Sequence, residues 1–170
     1  YRGPAGINCG GTNETHWAPD LVEHESVYHM FLTLVPGIFS DWNAPREIAH
    51  LTSTNLLNWK RESALKLASD RVIDASVFKL PDCSWRMWYN NERDGKSTYY
   101  ADSPDLSHWT DKGKAAGVGK RPGEAPYVFN WQGHHWLIVD HWKGLGVYRS
   151  DDLLNWQSQP TDLLGVPGKG

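Results

Sequence analysis

SDDLLNW, residues 150–156, decides the fold, because the chain writes nearly the same seven residues three times. STNLLNW stands at 53–59 and SPDLSHW at 103–109, so Trp59, Trp109 and Trp156 recur at spacings of 50 and 47 residues. A period near 50 points to propeller blades or solenoid repeats. The residues between the tryptophans choose between them. Each unit holds four short β-prone runs broken by turn residues: PDLVEHES, VYHMFLTLVP, REIAHLTST and NWKRESALKL in the first, with the same order in the second and third. The second run is the most apolar each time, as expected of a strand buried on both faces. No capped helical pattern interrupts them. Radial repetition of a four-stranded antiparallel sheet is a β-propeller. The S-x-D/N-L-x-x-W motif falls between the third and fourth strands. Its Ser and Asp or Asn suit a tight turn that bonds its own backbone, leaving Leu and Trp to pack on the neighbouring blade.

The sequence therefore predicts an all-β chain, residues 1–170 forming one propeller domain with blades at about 16–67, 70–117 and 122–163. Known propellers close with about four to eight blades. Three blades are thus part of a ring, completed by further polypeptide or by association with another chain. The outer two blades should then expose apolar flanks.

Composition excludes several partners. The net charge of −3 comes with no basic stripe, so no nucleic-acid partner is expected. No apolar run approaches the roughly 18 residues of a membrane span. The opening YRGPAG is neither an initiator Met nor a secretory signal. Cys9 and Cys83 lack metal-ligand spacing and are read equally well as one disulfide or two thiols. The compartment stays open, with a secreted or periplasmic location favoured. Ten Trp and seven Tyr exceed what the repeat and a small core require. Aromatic faces of this kind stack on sugar rings.

Three acids stand near the start of the first strand of each unit: Asp20 in HWAPD, Asp74 in VIDAS and Glu124 in GEAPY. They look equivalent, and all three should point into the top of the central channel. The loops joining strands two and three would bring Trp42, then Asn90, Asn91, Glu92 and Arg93, then Asp140, His141 and Trp142 to the same rim, with Trp17 beside Asp20. Converging carboxylates in an aromatic funnel suit glycoside hydrolysis, in which one carboxyl protonates the leaving oxygen and another activates water or attacks. Crowding keeps one of them protonated. Charge-rich DWNAPRE and NERDGK read as solvated loops, and the eight His show no zinc-like spacing.

HWAPDLVEHESVYHMFLT (16–33), VIDASVFKLPDCSWRMWYNNE (72–92) and GEAPYVFNWQGHHWLIVD (123–140) together resemble glycoside hydrolase family 43 and its relatives, the five-bladed propeller glycosidases. The resemblance runs from about residue 16 to 156. It implies that Glu124 is the general acid, that Asp74 tunes and orients it, and that Trp17 to Asp20 open the family's second blade. Ala75 and Ala125 replace the Pro and Gly that often follow the two acids. The family's general base belongs to a blade that would precede Tyr1, so Asp20 serves as base only if the chain departs from that plan. No metal ligand or certain cofactor is read from the residues. The resemblance leaves room for a structural calcium ion in the central channel. The expected function is cleavage of glycosidic bonds in plant- or algal-type oligo- and polysaccharides. The alternative is a non-catalytic carbohydrate-binding propeller.

Overall fold

The computed structural model of the protein describes residues 14–37 and 41–165. The described chain is twelve strands in three sheets. The first sheet holds β1 (Glu14–His24), β2 (Val27–Pro36), β3 (Glu47–Ser53) and β4 (Lys60–Ala64). The second holds β5 (Val72–Lys79), β6 (Trp85–Asn91), β7 (Ser97–Ser103) and β8 (Thr110–Lys114). The third holds β9 (Glu124–Trp131), β10 (His134–Asp140), β11 (Leu145–Ser150) and a two-residue β12 (Gln157–Ser158). Every sheet is an antiparallel meander in chain order. The helical content among the described residues is one 3-10 turn, Glu92–Asp94. This is the β-propeller expected from the repeat. The first sheet starts at residue 14, two residues ahead of the expected 16.

The repeated motif builds the β3–β4, β7–β8 and β11–β12 turns. Ser53 Oγ accepts from Leu56 N at 2.9 Å, and Asn55 Oδ1 accepts from Leu57 and Asn58 N at 2.9 Å. Asp105 Oδ1 and Asp152 Oδ1 do the same for the two amides that follow in their turns. Each turn puts its Leu in the left-handed region, with φ of 61° at Leu56, 65° at Leu106 and 60° at Leu153. That conformation costs an L-residue about 1 kcal/mol. Burial offsets the cost at Leu106 and Leu153, which are 0% and 3% exposed in the seams between sheets; Leu56 stays 44% exposed.

Two apolar layers join the sheets. Phe31, Ile48, Val72, Trp85, Met87 and Tyr89 fill the seam between the first and second. Trp88, Val128, Leu137, Val139 and Trp156 fill the seam between the second and third. The outer faces differ, against the expectation of two bare flanks. The third sheet exposes Tyr127 (53%) and Trp131 (55%). The first is mostly covered: Met30, Leu32, Leu34 and Leu51 are at most 6% exposed, with Trp59 and Tyr28 packed among them, while Leu21, paired with Met30, is 42% exposed. Cys83 is a free, exposed thiol in the β5–β6 turn; Cys9 lies outside the described residues.

A histidine pair gives the first seam a pH response. His50, 1% exposed, stacks on Phe31 at 4.9 Å and on His29 at 5.1 Å, and the two imidazoles share a 2.9 Å hydrogen bond. Burial and the neighbouring His29 push His50 down to about 4, and burial lowers His29 as well. Unfolded His protonates near 6.5. The folded chain therefore binds fewer protons than the unfolded chain between about pH 4 and 6.5, and stability falls as pH drops through that window. The His50 contribution is worth about 3 kcal/mol, at 1.36 kcal/mol per unit. Asp20 and Asp74, raised by burial, act in the opposite sense. A wild-type curve alone is thus a composite, and His50→Phe isolates the term. Tyr100 holds the corresponding place in the second sheet, so a ring fits there. Urea midpoints at pH 7 and 4.5 should differ much less in the variant than in the wild type. Equal losses in both would exclude His50 as the source.

Candidate functional site

One irregularity recurs in all three sheets and positions the site. Trp17 to Asp20 on β1 spans only Thr33 to Phe31 on β2. Ile73 to Ser76 spans Asn90 to Trp88, and Glu124 to Tyr127 spans Asp140 to Ile138. Each is a β-bulge, one extra residue on the innermost strand. Its second residue is left-handed: Ala18 at φ 37°, Asp74 at 59°, Ala125 at 49°.

Superposing the bulges corrects the reading of the three acids as equivalent. Glu124 corresponds to Trp17 and Ile73. Asp74 corresponds to Ala18 and Ala125. Asp20 corresponds to Ser76 and Tyr127. The positions have separate tasks. Asp20 Oδ2 accepts from Val77 N of the next sheet at 2.6 Å, and Ser76 Oγ accepts from Val128 N at 3.3 Å. In return Asp74 N donates to Thr33 Oγ1 at 3.1 Å, and Ala125 N donates to Asp74 Oδ2 at 2.9 Å. The bulges thus bond each sheet to the next. Asp20 is engaged in that bonding; burial raises it, while the Val77 and Leu21 amides pull it back.

Asp74 lies across the seam from Glu124, between the second and third sheets: its Oδ2 accepts from the amide of Ala125, the residue after Glu124. Burial raises Asp74 first. The Ala125 amide opposes this, the Glu124 and Glu92 charges add to it, and Lys96 offsets part. Around them lies a chain of alternating charge. Glu124 Oε1 contacts Lys96 Nζ; Lys96 Nζ donates to Glu92 Oε1 at 2.7 Å; Glu92 Oε2 pairs with Arg46 Nε at 2.7 Å. Arg46 and Glu92 side chains are 1% and 7% exposed, those of Lys96 and Glu124 30% and 27%. Indoles line the assembly. The Arg46 guanidinium lies 5.5 Å from the Trp17 ring and 5.7 Å from that of Trp42. The Lys96 ammonium lies 5.9 Å from Trp42 and 5.7 Å from Trp142. The β2–β3, β6–β7 and β10–β11 loops supply these residues except Trp17 on β1 and Glu124 on β9, so all three sheets contribute at one rim.

Several residues expected to face substrate belong instead to the scaffold. Asn90 is fully buried and donates to Gly123 O. Asn91, 4% exposed, accepts from Ser69 Oγ at 2.7 Å and caps the 3-10 turn through Arg93 N at 3.1 Å. Arg93 turns outward into a two-pronged pair with Asp70 at 2.8 and 2.9 Å. His141, 8% exposed, bonds Pro122 O at 2.6 Å and Tyr148 OH at 3.2 Å. Its ring occupies the space a side chain would need at Gly123 or Gly146. Trp17, Trp42 and Trp142 do gather at the rim. Arg46 and Lys96 are the members expected only in solvated loops; Glu92 is the one expected at the rim, without a role there. Among the described residues no group of three or more His, Cys, Asp or Glu side chains is placed to hold a metal ion.

The fold is that of the propeller glycosidases. A thermostable family-43 glycoside hydrolase superposes with a TM-score of 0.70 at 18% identity, over 86% of this chain and 55% of that one. A family 117 glycoside hydrolase from the marine bacterium Zobellia galactanivorans gives 0.73 at 16% identity, over 91% and 58%. A fructofuranosidase from Schwanniomyces occidentalis gives 0.72 at 16% identity, over 91% and 35%. The chain spans about half the length of the first two. No protein-family model matches the chain, and no curated protein matches it in sequence.

Proposed function

We propose that the protein is a glycoside hydrolase acting on oligo- or polysaccharides of plant or algal type, with Glu124 as the general acid and Asp74 as the residue that tunes it. The observation that carries this reading is the place of the Asp74 carboxyl, bonded to the amide that follows Glu124 and within range of the Glu124 charge, at an indole-lined rim. Asp74 is pushed toward its protonated form by burial and by the charge of Glu124. Trp17, Trp42 and Trp142 offer apolar faces to sugar rings. Asp20 fits the base role poorly, because one of its oxygens already holds Val77 N. The base and the remaining subsites are proposed to come from polypeptide beyond this segment or from an associated chain. Retention of a glycosidase fold in the solved structures of families 43 and 117 supports the reading.

A second reading, a non-catalytic saccharide-binding propeller, is favoured by one feature: Asp20, the candidate base among the described residues, already accepts from Val77 N. Reducing-sugar release from arabinan, xylan and agarose oligosaccharides, run beside calorimetric binding of the same panel, separates the two. Release by the full-length protein supports hydrolysis. Binding without release supports the second reading, and neither binding nor release removes both.

A further inference from the structure

Two carboxyls brought into proximity repel unless one takes a proton or a cation stands between them. Here the cation has a particular origin. Lys96 follows Gly95, and both are left-handed, at φ 57° and 58°. A left-handed lysine costs about 1 kcal/mol and persists where its surroundings fix it. The turn sends the side chain back over the seam instead of out into solvent. There the ammonium bonds Glu92 at 2.7 Å and touches Glu124, and the rings of Trp42 and Trp142, from loops of the two flanking sheets, approach it from either side. The charged groups facing this ammonium and Asp74 are Glu92 and Glu124, with Arg46 behind Glu92. Arg46 already pairs with Glu92, so Lys96 is the counter-charge available to Glu124. Burial disfavours the Lys96 charge, yet its bonds to Glu124 and Glu92 outweigh that and raise it. It therefore stays an ammonium throughout the neutral range.

We propose that Lys96 is a positioning residue, holding Glu124 at the mouth of the site and allowing the Glu124 and Asp74 carboxyls to remain together. Its catalytic consequence rests on the glycosidase reading; its electrostatic consequence does not. Both can be read on Lys96→Met and Lys96→Arg in the full-length protein. The first readout is the titration of the Asp74 carboxyl followed by carbon-13 NMR, assigned through Asp74→Asn. Lys96→Met should move the midpoint up, Glu124→Gln should move it down, and Lys96→Arg should return it close to wild type. An unchanged midpoint in Lys96→Met overturns the proposal, whatever the protein hydrolyses. The second readout uses an aryl glycoside that the wild type cleaves. Lys96→Met should lower kcat roughly tenfold to a hundredfold, the cost of a misplaced reacting group, with KM nearly constant and the loss largely restored by arginine. A KM effect alone, or no rescue by arginine, also overturns it. If no glycoside is cleaved by the wild type, the glycosidase reading falls, and the titration still decides the role of Lys96.

Discussion

Glu124→Gln should leave the three sheets and saccharide binding intact and lower hydrolysis of unactivated glycosides roughly 10²–10⁴-fold, the usual scale of acid–base assistance. Glutamine keeps the shape and one acceptor oxygen but has no proton to give. The loss should depend on the leaving group. A nitrophenolate departs without protonation, so activated aryl glycosides should be the least affected, and a plot of rate against leaving-group acidity should be steeper for the variant. Asp74→Asn should behave differently. It removes a carboxyl raised by burial and by Glu124, so it should shift the pH profile as well as depress it. The measurement is hydrolysis by full-length variants across pH. Wild-type rates from Glu124→Gln on unactivated substrates would move the saccharide-binding reading to first place. Far-ultraviolet dichroism identical to wild type would show that any loss is chemical.

Trp88→Ala should be the most damaging single truncation in the scaffold. The ring is 0% exposed in the seam between the second and third sheets, edge-on to Trp156 at 5.8 Å and to Phe78 at 6.4 Å, with the Arg86 guanidinium 5.9 Å from it. Removing it opens a cavity where neither sheet can collapse without breaking its ladder. The cost should be about 3–5 kcal/mol, a fall in Tm of roughly 10 °C for a domain of this size. Trp142→Ala provides the contrast. That ring is 55% exposed at the rim, and its loss should cost under about 1 kcal/mol. Scanning calorimetry on both variants tests whether the two tryptophans are divided as scaffold and rim. Equal falls in Tm would show that they are not.

The blades were legible because turn chemistry is local. Ser, Asp or Asn, Leu and Trp lie within seven residues and bond one another, so the spacing of Trp59, Trp109 and Trp156 transmits the period directly. The bulge was less legible, because it is defined by pairing with another strand. Aligning the units on their acids gave Asp20, Asp74 and Glu124 one shared position. Aligning on Ala18-Pro19 and Ala125-Pro126 would have placed Asp74-Ala75 opposite them and recovered the register found in the sheets. Asp is also among the residues that tolerate the left-handed conformation Asp74 adopts. Arg46 and Lys96 carried no such signal, and Glu92, expected at the rim, carried none for its pairing. The Arg46–Glu92 and Lys96–Glu124 pairs cross between blades, and a charged loop with one long-range partner reads the same as a solvated one. The expected rim residues Asn90 and His141 failed for the opposite reason: polar side chains beside a predicted loop were taken as exposed, whereas the backbone carbonyls of Gly123 and Pro122 needed them.

The bond from Ala125 N to Asp74 Oδ2 carries one more implication. The carboxyl proposed to tune the chemistry is also a rivet between two blades. Selection for a different pH optimum and selection for cohesion therefore act on the same oxygen atom. A lineage adapting this site has two routes: accept a looser ring, or leave Asp74 alone and change what surrounds it. The second route runs through Lys96, Glu92, Trp42 and Trp142, whose loops can vary in length and sequence without unpicking a ladder. Divergence in substrate preference among proteins built this way should accordingly accumulate at the rim, while the left-handed aspartate stays fixed.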